Sequence, residues 1–255
     1  MVAAWPVMAS ACATLSPGPQ GKVVEVTDGD TVILDTGQVV RLIGMQAPKL
    51  PLGRDGFEAW PLAPEARTAL EGLSLGKQVR LAYGGAREDR HGRVLAHMFI
   101  VGEPEVWAQQ AMVEKGLARV YSFPDNRKCL SELMQAEARA RVEKLGIWRD
   151  PYYSIRAADR PDALAARFGH YELVEGRVLT AEKAGSRVYL NFGRHWKEDF
   201  TASIDSAALR MFVQQGADPL ALAGALVRVR GWVDDRDGPR IEVSHPEQIE
   251  VLAAP

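Results

Sequence analysis

Val24-Glu25-Val26-Thr27-Asp28-Gly29-Asp30-Thr31-Val32-Ile33-Leu34 decides how this chain is read. β-Branched residues fill both flanks, and Asp28-Gly29-Asp30 interrupts them with turn formers, so the stretch predicts strand, acidic turn, strand. Working outward, Asp35-Thr36-Gly37 forms the next turn, and Gln38-Val39-Val40-Arg41-Leu42-Ile43 alternates as a third strand. Two further strands are predicted over 78–82 and 94–100. Between them and the third strand, Pro64 opens a helix that runs to about residue 73, with Gly76 just beyond it. A second helix is predicted over 104–115, ending at Gly116. A third covers 127–145, with Leu130, Leu133, Met134, Ala138 and Val142 as its buried face and Gly146 as its stop.

Residues 151–168 read as a linker. Beyond it the pattern repeats: strands over 171–179, 188–192 and 200–204, a helix over 207–215, then strands over 226–233 and 240–243 with Asp237-Gly238 as the last hairpin turn. Both halves thus give β-β-β-α-β-β, the order of an OB-type Greek-key barrel. The expected fold is mostly β with α: a barrel with three helices over 21–150, then a second, OB-like barrel over 169–255.

At 255 residues the chain is long enough for two small domains, each with its own core. A formal charge of −2 excludes a protein that binds nucleic acid through a strong overall positive field, so any phosphate-binding surface is a local patch. Cys12 and Cys129 are too few for a disulfide framework and too far apart in sequence to suggest a zinc site. The apolar run from Val2 to Leu15 is too short to span a bilayer and lacks the basic residues that precede an export signal. Ala9-Ser10-Ala11-Cys12 loosely resembles a lipoprotein processing site. Residues 1–20 are therefore read as an export segment of a periplasmic or secreted protein or of a lipoprotein attached through Cys12, or else as a disordered tail of a cytoplasmic protein or the front of a chain whose true start lies upstream.

Four motifs stand in order along the first half: Asp28-Gly29-Asp30-Thr31, Arg41-Leu42-Ile43-Gly44, Asp89-Arg90-His91-Gly92-Arg93 and Leu145-Gly146-Ile147-Trp148. With these, residues 20–150 resemble the thermonuclease (staphylococcal-nuclease-like) family. The resemblance implies calcium-dependent hydrolysis of phosphodiesters in DNA or RNA. It implies Asp30, with Asp28 and Thr31 beside it, as the metal site, and Arg41 and Arg93 as catalytic clamps on the pentavalent phosphate. Arg90, His91 and Tyr121 are the expected substrate contacts, with His91 replacing a family tyrosine beside Arg93 and Phe123 standing where a second tyrosine is expected.

The departures fall at the centre. Where the family has Asp-Thr-Pro-Glu, this chain has Gln46-Ala47-Pro48-Lys49. Gln46 supplies an amide oxygen without charge, Ala47 only its backbone carbonyl, and Lys49 a cation in place of the water-activating glutamate. A lysine near pH 7 is no general base unless strongly desolvated, and its charge disfavours calcium nearby. Lys49 is read either as solvated or as a third cation on the phosphate. Asp55 and Glu58 are the carboxylates available on the following loop, as substitute bases or merely solvated groups. Asp28 and Asp30 also suit a simple turn, and Arg41 and Arg93 an internal ion-pair network. Three functions follow: a nuclease with impaired or altered catalysis, a nonenzymatic nucleic-acid or nucleotide binder, or an interaction scaffold. In the second half, Tyr189, Phe192, His195 and Trp196, near Arg194 and Lys197, form either a base-stacking surface or ordinary core and loop. Trp232 and His245 are read as packing residues.

Overall fold

The acidic turn joins β1 (Ser16–Asp28) to β2 (Thr31–Leu34) in a computed structural model that describes residues 11–255. There follow β3 (Val39–Leu42), the short β4 (Met45–Gln46), α1 (Ala63–Ser74), β5 (Gln78–Tyr83) and β6 (Val94–Ile100). Then come β7 (Val106–Trp107), α2 (Ala108–Glu114), β8 (Arg119–Val120) and α3 (Leu130–Val142). The strands pair in the order β3-β2-β1-β5-β6-β7, and a parallel β3–β6 pairing (Val40↔Val94, Leu42↔Ala96) closes the ring. Closure leaves the barrel strands without a free edge. Its interior is filled by Val23, Val32, Leu42, Leu81 and Met98, sealed by Leu70 of α1, Met112 of α2 and Leu133 of α3.

The chain divides between Tyr152 and Tyr153 into two units. The second begins with β9 (Arg156–Ala157) and α4 (Pro161–Ala165), within the predicted linker. It continues through β10 (Tyr171–Arg177), β11 (Thr180–Ala184), β12 (Arg187–Asn191), β13 (Thr201–Ile204), α5 (Ser206–Gln214), β14 (Leu226–Asp235), β15 (Pro239–Val243) and β16 (Ile249–Ala253). The strands pair in the order β11-β12-β13-β15-β14-β10-β9, with β16 added on β14, as one curled sheet. The β13–β15 pairing is parallel, as β3–β6 is in the first unit. Phe200, Leu190, Val229 and Ile241 fill this core, with Phe212 from α5. The first unit is therefore a closed, strand-dominated OB-type barrel, and the second a strand-dominated, OB-like curled half-barrel. Among the described residues no helix is long and apolar enough to cross a membrane.

Several local readings are corrected. β1 starts at Ser16, because residues 16 and 17 pair with Tyr83 and Ala82 beyond a register shift that accommodates the prolines. The second helix loses its first turn to β7, where Trp107 and Val106 pair with Phe99 and Ile100. On α3 the buried face is Leu130, Leu133, Ala136, Glu137 and Ala140, while Val142 is 84% exposed. Apolar periodicity misses this face because Glu137 is on it: its carboxylate accepts the Val120 N–H at 2.8 Å and pairs with Arg141 at 2.8 Å. Gly146 does not stop α3, which has already ended. It crosses Gly116 backbone to backbone, and a Cβ at either glycine would lie within about 2.2 Å of the other segment's carbonyl oxygen. Cys12 and Cys129 form a disulfide, tying the start of the described chain to the N-cap of α3. In the second unit β16 and the separation of β11 from β10 are new; Trp232 is 44% exposed, edge-on to Tyr171, whereas His245 is fully buried.

Candidate functional site

The site is built on the turn between β1 and β2. Gly29 is pressed so closely between α1 and the loop after β4 that a Cβ there would lie 2.6 Å from the Ala47 methyl and 2.8 Å from that of Ala66. This close approach directs both flanking carboxylates inward: Asp30 is fully buried and Asp28 is 4% exposed. The Asp30 N–H donates to Asp28 Oδ1 at 3.0 Å, and Thr31 Oγ1 lies 3.3 Å from Asp30 Oδ1.

Lys49 closes the arrangement. Its Nζ lies 2.6 and 2.7 Å from the two carboxylate oxygens of Asp30 and 3.1 Å from Asp28 Oδ2. Asp30 Oδ2 also accepts the Ala47 N–H at 2.9 Å and pairs with Arg41 at 3.1 Å. Arg41, opposite Thr31 in the β2–β3 register, turns inward and donates to the carbonyls of Leu42 and Met45 at 2.6 and 3.0 Å. Burial alone would raise the Asp30 carboxyl, but the Arg41 guanidinium and the Lys49 ammonium outweigh it and hold that carboxyl well below the usual range. Asp28 is raised, by burial first and then by the charge of Asp30, with Lys49 opposing. The proton that enters this cluster on acidification therefore goes to Asp28.

The amide oxygen of Gln46 is taken by a different cation. β4 pairs with β8 so that Gln46 is opposite Arg119, which donates from Nε and Nη2 to Gln46 Oε1 at 3.1 and 2.8 Å. The same guanidinium stands 5.9 Å from the Trp60 ring centroid. Neither Arg119 nor Trp60 is singled out by the sequence motifs. The signal, a two-residue strand pairing across 73 positions, is not readable from periodicity.

Arg93 immediately precedes β6, whose Val94 and Leu95 pair with Val40 and Arg41 of β3, and it is paired with Asp89 at 2.7 Å and about one-third exposed. Asp89 also accepts the backbone N–H groups of His91 and Arg93, and these bonds with the Arg93 side chain overcome its slight burial and lower its carboxyl. Arg90 Nε contacts His91 Nε2 at 3.1 Å, so Arg90, His91 and Arg93 form one turn. Tyr121 packs edge-on against Phe123, centroids 4.9 Å apart, and its N–H donates to the Gly44 carbonyl. Asp55 and Glu58 are exposed on the loop after Lys49. The structure thus brings together Asp28, Asp30, Thr31, Arg41 and Lys49, with Gln46 and Ala47 beside them, and gives Arg93 a separate carboxylate.

A calcium ion needs six to eight oxygen ligands, several of them charged. Here an ammonium, a guanidinium and a backbone N–H already occupy Asp30, and the Gln46 oxygen accepts from Arg119. Among the described residues no group of three or more His, Cys, Asp or Glu side chains is placed to hold a metal. The donor set does not fit calcium.

A family model described as staphylococcal nuclease homologue matches residues 39–150. The thermonuclease of Staphylococcus hyicus is 31% identical over 130 residues, covering 50% of this chain and 74% of that protein. The thermonuclease of Staphylococcus intermedius is 30% identical over 129 residues, covering 49% and 74%. Endonuclease YncB of Bacillus subtilis (strain 168) is 28% identical over 144 residues, covering 52% and 66%.

Proposed function

Because the chain belongs to the staphylococcal nuclease family, we propose that its first unit keeps DNA or RNA chains as ligands while calcium-dependent phosphodiester hydrolysis is impaired. The observation that carries this reading is the Lys49 ammonium, within 2.7 Å of both Asp30 carboxylate oxygens. It neutralises the acidic turn from inside the protein, where a divalent ion would have to displace it against like charge. No general base replaces the family's glutamate at that position. Arg93, with Arg90 and His91 on the same turn, and Tyr121, bonded through its N–H to the Gly44 carbonyl, remain to contact phosphate and base; Arg41 supports the loop carbonyls.

Nuclease names among the relatives support the ligand class. The test is cleavage and binding of single-stranded DNA and RNA by the purified chain with calcium, magnesium, manganese or chelator. Binding is expected to weaken with salt and with Arg93→Ala. Calcium-stimulated cleavage is expected to fall about 10²–10⁴-fold below that of the Staphylococcus hyicus thermonuclease assayed alongside. Brisk, chelator-sensitive digestion by the unaltered protein would sink the reading. Calorimetry should find calcium uptake by Gln46→Asp/Lys49→Glu and none by the parent.

The disulfide supports an exported protein over a cytoplasmic one, since such bonds persist in oxidising compartments. With its sulfur bonded to Cys129, Cys12 has no thiol left for a lipid. We therefore favour export without lipid attachment; retention of a lipid on mature protein by mass spectrometry would exclude it.

A further inference from the structure

The second unit carries a cavity that plays no part in the reading above. It is about 410 Å³ in volume and lies over the face of β12, β13 and β15 that is turned away from the core. In register, Asn191 is opposite Thr201 and Thr201 opposite Arg240, so three polar side chains form a row across three strands. Thr201 Oγ1 lies 3.4 Å from Asn191 Oδ1, and Asn191 Nδ2 donates to Thr180 at 3.1 Å, which fixes the row. Tyr189 lines the cavity beside this row, and Trp196, 52% exposed, borders it from the loop after β12. Glu182 and Asp237 add two carboxylates.

Arg240 is the telling member. Its guanidinium is 5.9 Å from the Tyr189 ring centroid and its side chain is 14% exposed. Its buried Nε has no acceptor among the described residues. A buried donor without a partner on the wall of a cavity calls for a polar ligand or an ordered water. The Lys197 ammonium stands 5.3 Å from the Trp196 ring, at the rim.

We propose that this cavity takes one unpaired, amino-bearing base of a single-stranded nucleic acid, stacked on Tyr189 and Trp196, with its phosphate at the rim near Lys197. The rings select a flat aromatic ligand, and the volume suits a nucleoside-sized group rather than a duplex. Glu182 and Asp237 accept hydrogen bonds but cannot donate them when ionised, so they favour the exocyclic amino groups of adenine, cytosine and guanine over thymine or uracil. The same carboxylates keep phosphate out of the interior. The structure separates Phe192 from this surface: it packs on Phe200 and the core.

The test uses the full chain and labelled decamers of deoxyadenylate, deoxycytidylate and thymidylate, read by fluorescence anisotropy. The first two are expected to bind at least about tenfold tighter than the third. Trp196→Ala, at an exposed position, should weaken them by about tenfold or more, as loss of one stacking platform does. Tyr189→Ala removes the second stacking ring and should weaken them by a similar factor. Photocrosslinks should fall within residues 187–197. Parent-like binding by Trp196→Ala, equal affinity for all three decamers, or no binding at all would overturn the proposal. Loss of binding with Arg93→Ala alone, with crosslinks confined to residues 41–121, would overturn it and leave the first-unit reading standing.

Discussion

In the first unit the turn between β1 and β2 carries Asp28 and Asp30 inward, where Arg41 and Lys49 meet them. In the second unit the corresponding turn, Gly185-Ser186 between β11 and β12, is exposed and uncharged, and the chemically equipped surface lies on the strands beside it. That unit does bury ions, but at other places: Glu172 is held by Arg156 and Arg167, and Arg230 by Glu250. One strand order therefore supplies two locations for chemistry. The turn becomes a site only where a glycine close enough to its neighbours drives carboxylates inside.

The largest effect expected from testing this contrast is at Lys49. Lys49→Met leaves two buried carboxylates with one cation, and removing one partner of a buried pair typically destabilises by about 3–5 kcal/mol. Hydrogen exchange should show the loss on β2 and β3 while β12 and β13 keep their protection. A change below about 1 kcal/mol would mean that water, not lysine, compensates the turn. Next comes the disulfide, which closes a loop of sequence separation 117. Its reduction should lower stability by about 2–4 kcal/mol, read from thiol-dependent urea curves, again with the second unit's amides unaffected.

The smallest expected effect is in acid and belongs to His97, buried against Trp107. Burial pushes its pKa down to about 4, against opposing contributions from the Lys128 backbone and Glu132. A lowered histidine keeps its stabilising contribution above pH 6.5 and loses it as pH falls from 6.5 towards 4. By pH 4 the loss amounts to at most about 3 kcal/mol. His97→Gln should flatten that limb of the stability curve. Asp30, held low, adds a further loss only below about pH 3.9, the ordinary aspartate value. A parent curve that is flat between pH 6.5 and 4 would remove His97 from this account.

Much of the barrel plan was legible because hairpins write themselves locally. Asp237 and Gly238 have φ of 55° and 85°, as an Asp-Gly turn requires, and the alternation of β12 and β15 matches their burial. What escaped depends on partners far apart in the chain. The face of α3 was misread because a carboxylate there is satisfied by Val120 and Arg141. Lys49 stood out as a foreign residue at its position, yet its place between two aspartates follows from the packing of Gly29 against Ala47 and Ala66. The capture of Gln46 by Arg119 needs the β4–β8 pairing. The two cysteines gave no hint of each other.

The bond between Cys12 and Cys129 also governs what happens when the backbone is broken. The loop between Lys49 and α1 is exposed over residues 52–56 and is a natural place for a protease to cut. Any single cut between positions 12 and 129 yields two pieces that stay covalently joined. A nicked molecule would migrate as intact on a gel until a thiol is added, and its severed strands would remain tethered within reach of re-pairing.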